Sequence, residues 1–166
     1  ALTHLAAAQV PGGLIYSGET KWDDATGTFT FASSGTMREG KEEFFWQVPT
    51  EVRRIQIDPN VTVRGGFRVG FRAPDNPLYL VGGARKTSVI FGTGLEQWTA
   101  SNGVAENDKW KYGSVSVLAD ATVHVANLTS MNPRGYHISG YANRSVLHVS
   151  GCDLLDTRPG LNNNSD

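Results

Sequence analysis

Val123-His124-Val125-Ala126 and Leu147-His148-Val149-Ser150 are one four-residue pattern written twice, 24 residues apart. The match continues beyond the pattern. At the same offset Leu128 meets Cys152, Met131 meets Leu155 and Asn132 meets Asp156. Small or apolar residues face apolar ones, and polar residues face polar ones. A period in this range, with short strands and Gly or Asn at the turns, is what a parallel β-solenoid requires. One coil cannot close its own core, so like residues must stack between coils. Chance similarity of two strands is the alternative.

Outward from this stretch the chain punctuates as short strands. Expected strands are 28–31, 44–48, 55–57, 61–63, 78–81, 88–91, 115–118 and 122–125, several bounded by Gly or Pro signals. Their spacing is uneven, and hairpin dipeptides rarely join them; Asn102-Gly103 is the one candidate. A sandwich or meander would use more such joints. Only one segment reads as helical. Thr3 caps a short turn through Leu5-Ala6-Ala7-Ala8, ended by Pro11-Gly12-Gly13. It is read either as an end cap over an open core or as a frayed terminus. Two regions follow: a cap and first strands over 1–50, and coils over 51–166 that are incomplete at their C-terminal end.

Composition agrees with a turn-rich β protein. The 166 residues hold 19 Gly, and charged residues make up 19%. The net charge of −1 offers no basic field to a nucleic acid. No stretch approaches membrane-spanning length. The single cysteine, Cys152, excludes an intrachain disulfide framework and reads as a small buried filler. His4, His124, His137 and His148 lack metal-ligand spacing, so no metal and no cofactor is expected. His124 and His148 share a repeat position and should form a stacked surface ladder.

Four Asn-x-Ser/Thr sequences begin at Asn60, Asn127, Asn143 and Asn163. As glycosylation acceptors they point to a secreted protein. Ala1-Leu2-Thr3-His4 has neither a charged start nor a long apolar run, so no secretory leader is expected within the chain.

After Leu161, the run Asn162-Asn163-Asn164-Ser165-Asp166 has no apolar face with which to cap a stack. A stack needs a cap or another coil. More polypeptide after Asp166, or a partner chain, is therefore expected to complete the fold. Glycosidic bonds break between two carboxylates, and adjacent coils hold acids at fixed separation. Asp166 is the candidate acid; by composition alone it is an ordinary turn residue.

Two stretches carry a family resemblance. Ser130-Met131-Asn132-Pro133 with Tyr136-His137-Ile138-Ser139-Gly140 resembles the coil before the active site of polygalacturonase-type (family 28) glycoside hydrolases. Ser145-Val146-Leu147-His148-Val149 with Asn164-Ser165-Asp166 resembles the coil bearing that family's Asn-Thr-Asp or Asn-Ser-Asp signature. Ser88-Val89-Ile90-Phe91-Gly92-Thr93-Gly94 resembles its early strand-plus-glycine coil. Val61-Thr62-Val63-Arg64-Gly65-Gly66 is similar to early coils of the dextranase and isopullulanase group (family 49).

The resemblance implies a right-handed parallel β-helix of the pectin-lyase-like kind. It implies an inverting hydrolase of a pectin- or dextran-type polysaccharide, of which this chain is the N-terminal portion. Asp166 would help to activate water and Asn164 would orient the site. The paired aspartates expected to supply the general acid do not occur here, so the chain alone is expected to be inactive.

Smaller assignments complete the reading. His137 lies on an expected strand within a coil of Asn164, as a substrate contact or a hydrogen-bonded structural residue. Arg158 either binds a sugar hydroxyl or carboxylate, or pairs with Asp153 or Asp156. Trp98 and Trp110 flank a polar loop, 99–109, that either lines a glycan groove or covers the core. A polysaccharide lyase on the same fold would need Ca²⁺ and a proton-abstracting base, and no acidic cage is evident. A glycan-binding solenoid without catalysis is the non-enzymatic alternative.

Overall fold

A computed structural model of the chain describes residues 3–4, 11–39, 42–43, 45–92, 113–133 and 136–156. Among them every extended element is a strand, and the one helical piece is a 3-10 turn at Pro11–Gly13. Thr3–His4 forms strand β1; the helical turn expected just after it lies outside the described residues.

The strands sort into three sheets. The first contains β1, β3 (Thr20–Asp23), β4 (Thr28–Phe31), β8 (Arg54–Ile57), β11 (Leu78–Gly82), β14 (Thr122–Ala126) and β17 (Val146–Ser150), in that spatial order. The second runs from β2 (Leu14–Tyr16) through β5 (Gly35–Glu39), β9 (Thr62–Arg64), β12 (Val89–Phe91) and β15 (Thr129–Met131) to β18 (Asp153–Leu155). A short β6 (Glu42–Glu43) pairs with β5. The third orders β7 (Phe45–Val48), β10 (Gly66–Val69), β13 (Val115–Val117) and β16 (Ile138–Gly140).

The antiparallel pairs all lie early: β1 with β3, β3 with β4, β2 with β5, and β5 with β6. From the β4–β8 pair onward every pairing is parallel. The chain visits first, second and third sheet in turn, and then returns to the first one strand further on. Parallel partners cannot be joined by a tight hairpin; here the crossover is made by strands of the other two sheets.

Register carries the 24-residue repeat into space. Val123 pairs with Leu147, His124 with His148, Val125 with Val149 and Ala126 with Ser150. Met131 pairs with Leu155. Alternation along each strand sends one set inward and the other outward. Ile55, Leu80 and Val125 form a buried row on the first sheet, and Trp46, Phe67 and Val115 form one on the third.

The turns repeat as well. Asn127 and Gly151, at the same place in consecutive layers, both have positive φ (57° and 59°). So do Asn132 and Asp156 (50° and 58°). Asn and Gly are the residues that reach this region most readily. Asn127 Nδ2 also donates to Gly82 O at 3.2 Å, in the layer beneath. A Cβ on Gly82 would fall 2.1 Å from Asn127 O, so the close approach of these layers requires glycine there.

Candidate functional site

The outer face of the first sheet carries a ladder. Tyr79 stacks on His124 with ring centroids 4.6 Å apart, and His124 on His148 at 4.5 Å. The register pairs Arg54 with Tyr79, Tyr79 with His124 and His124 with His148, so the row follows directly from parallel stacking. The surface ladder expected from the sequence is present and extends one layer further, to Tyr79. His124 is thus covered on both faces, by Tyr79 and by His148.

His137 takes an interior position, 8% exposed. Its Nδ1 lies 2.8 Å from Ser130 Oγ, which donates to Ser114 Oγ at 2.8 Å. Ser130 Oγ thus joins His137 and Ser114 in one buried chain. Burial holds the imidazole below its ordinary pKa, and the charge of Asp156 acts in the opposite direction.

The acceptor asparagines differ in setting. Asn60, Asn127 and Asn143 are all exposed. Asn127 uses its amide to hold the adjacent layer, so a glycan there would cost that bond. Asn60 and Asn143 lie in exposed turns and suit attachment better. Cys152 is half-buried against the core, its Sγ directed to Ser150 O at 3.4 Å, as a small filler would be. Asp166, Asn164, Asn163 and Arg158 lie outside the described residues, as do Trp98 and Trp110.

A groove of about 410 Å³ runs along the corner between the third and first sheets. It draws on three successive loops: 70–77 after β10, 118–121 after β13 and 141–145 after β16. Phe71, Pro74 and Val146 give it apolar walls, and Phe71 is 61% exposed. Arg144 Nε donates to Asp120 Oδ2 at 3.0 Å on its rim. Arg72 also lines it, yet is 3% exposed. Its Nη2 donates to Pro49 O at 2.8 Å, while Nε and Nη1 have no acceptor among the described residues. Burial disfavours the charged guanidinium, and Glu51 partly offsets this. The sequence offered one signal for this corner: Gly70-Phe71-Arg72 leading into the turn-rich Pro74-Asp75-Asn76-Pro77 marks a longer loop with an aromatic at its base.

Among the described residues no group of three or more His, Cys, Asp or Glu converges as a metal site. No family model, no curated protein and no solved structure matches the chain.

Proposed function

We propose that the three sheets are the walls of a right-handed parallel β-helix, and that the chain is the N-terminal portion of a secreted polysaccharide hydrolase. The observation that carries this reading is the unbroken parallel register of all three sheets from β8 onward. Such stacking makes a rigid wall with one outward residue per layer at each position, the scaffold on which acids from neighbouring coils can flank one bond.

Asp166 would help to activate water, with a general acid from paired carboxylates beyond this chain; inverting enzymes hold the two roughly 6.5–9.5 Å apart. His137 would support the wall from within, through Ser130. The exposed turns at Asn60 and Asn143 suit a secreted glycoprotein.

The test is hydrolysis by the gene-encoded protein, including whatever follows Asp166, on polygalacturonate and on dextran. Asp166→Asn is expected to reduce turnover by about 10²–10⁴-fold. Unchanged turnover would remove Asp166 from the reaction. Calcium-dependent, ultraviolet-absorbing unsaturated products would identify a lyase instead. Glycan binding without any turnover would identify a non-catalytic solenoid.

A further inference from the structure

We propose that His124 and His148 form a two-histidine surface site for a divalent transition-metal ion, Cu²⁺ foremost and Zn²⁺ after it. The site is independent of the hydrolase reading: it lies on the outer face of the first sheet and uses none of the residues assigned to catalysis.

Three observations converge. The first is register. β14 and β17 are parallel neighbours and His124 pairs with His148, so both side chains leave the same face of the sheet. The second is distance. The two rings lie 4.5 Å apart between centroids, with their planes 10° from parallel. Two nitrogens that share one tetrahedral ion, each about 2.0–2.1 Å from it, are about 3.3 Å apart. Small rotations about the side-chain bonds cover that difference, and His148 is exposed, with room to turn. The third is that the nitrogens are not engaged elsewhere. Among the described residues neither imidazole takes part in a hydrogen bond. Stacking engages the faces of the rings, whereas ligation uses a lone pair in the ring plane, so the ladder does not consume the ligating atoms.

The donor set selects the ion. Imidazole suits Cu²⁺, Zn²⁺ and Ni²⁺, with Cu²⁺ bound most tightly, whereas Ca²⁺ and Mg²⁺ need a set of oxygens. On the same face the pair is flanked by Thr122 and Val146 on one side and by Ala126 and Ser150 on the other. None of the four carries a charge, so the ion completes its coordination with water. Arg54 belongs to the same row, with Tyr79 between it and His124. Spacing along the sequence conceals the pair, because the two histidines are 24 residues apart and meet only through the parallel register.

The test is titration calorimetry of the intact protein with copper(II) chloride and with zinc chloride, joined to electron paramagnetic resonance of the Cu²⁺ form. One ion per chain is expected, held by two imidazole nitrogens, with Cu²⁺ tighter than Zn²⁺ and no heat from calcium chloride. His148→Asn and His124→Asn are each expected to weaken Cu²⁺ binding about 10²-fold, because a second ligand already in place is lost. Circular dichroism of each variant separates loss of ligation from loss of fold. His4→Asn is expected to change nothing. Absence of binding, unchanged affinity in both ladder variants, a spectrum with a single imidazole, or two independent ions per chain would each overturn the proposal. Loss of binding in His4→Asn with both ladder variants unaffected would place the ion elsewhere and overturn it too.

Discussion

The early strands and the late strands of the three sheets bury different residues. Around β4, β7 and β10 the core is aromatic. Phe29 lies 4.9 Å from Trp46 and 5.1 Å from Phe31, and Phe31 lies 5.9 Å from Phe67, centroid to centroid. From β13 onward it is Val and Leu with a buried Ser114–Ser130–His137 chain. One inner row shows the change along its length: Val63, Ile90, Ser130 and Leu154 occupy successive layers of the second sheet. The early strands pack unlike rings at steep angles to one another, beside the antiparallel pairs. The late end is built from residues that repeat from layer to layer, and Val149 and Leu154 there are each nearly half exposed. An aromatic plug is specific to one place, whereas a repeating layer is a template for the next.

The sharpest way to break that contrast is to remove the plug. Trp46 is fully buried among Phe29, Phe31 and Phe67, and its Nε1 donates to Pro11 O at 3.1 Å. Trp46→Ala is expected to lose about 3–5 kcal/mol of stability in urea unfolding. Val125→Ala, in a repeating layer, is expected to lose about 1.5–3 kcal/mol. Equal losses would mean that the two ends are held alike.

The polar part of the late core should respond to pH. The folded state holds His137 below its ordinary pKa, mainly through burial, with Asp156 opposing. The unfolded chain binds that proton near pH 6.5. Above this neither state carries it, and the contribution of the neutral imidazole is complete. As pH falls below about 6.5 the unfolded chain gains protons first, and stability declines. A His137→Gln variant is expected to show a flatter stability profile between about pH 7 and pH 5. An unchanged slope would exclude His137 as its source.

Much of this architecture was legible in the sequence. All eight expected strands form, several within a residue of their expected ends. The repeat at Val123 and Leu147 foretold both register and ladder, because in parallel stacking identical positions must meet. What escaped has physical reasons. β10 begins at Gly66 directly after Gly65, so two turn signals hid a strand. β2, β3 and β5 belong to antiparallel pairs without Asn-Gly or Asp-Gly joints. The groove escaped because its members, Phe71, Asp120 and Arg144, come from three loops that only the stacking brings together.

The inter-layer asparagine offers a smaller test. Asn127 combines a left-handed backbone with a bond to Gly82 O. Asn127→Ala is expected to lose about 1–2 kcal/mol, since alanine pays for the left-handed conformation and makes no bond. Asn127→Gly should recover most of this, because Gly151 already serves at the same place one layer on. If glycine proved as harmful as alanine, the side-chain bond would outweigh the backbone.

The smallest effect is expected where the late layers are joined from outside. Arg85 reaches Asp153 across 68 residues of sequence, with Nη2 2.6 Å and Nε 3.0 Å from the same carboxylate oxygen. Distance alone would suggest a clamp between loop 83–88 and β18. Exposure argues otherwise. Just over half of the Arg85 side chain faces solvent, so water screens the pair and ordering a long side chain offsets what remains. The same loop is held independently: Ser88 Oγ donates to Ile57 O, and Thr129 Oγ1 donates to Arg85 O. Those bonds survive when the guanidinium is removed. Arg85→Ala is therefore expected to leave the thermal midpoint unchanged within error, at low and high salt alike. A clear drop that vanished in high salt would make the outer ion pair, rather than the stacked interior, the element that secures the last described layer.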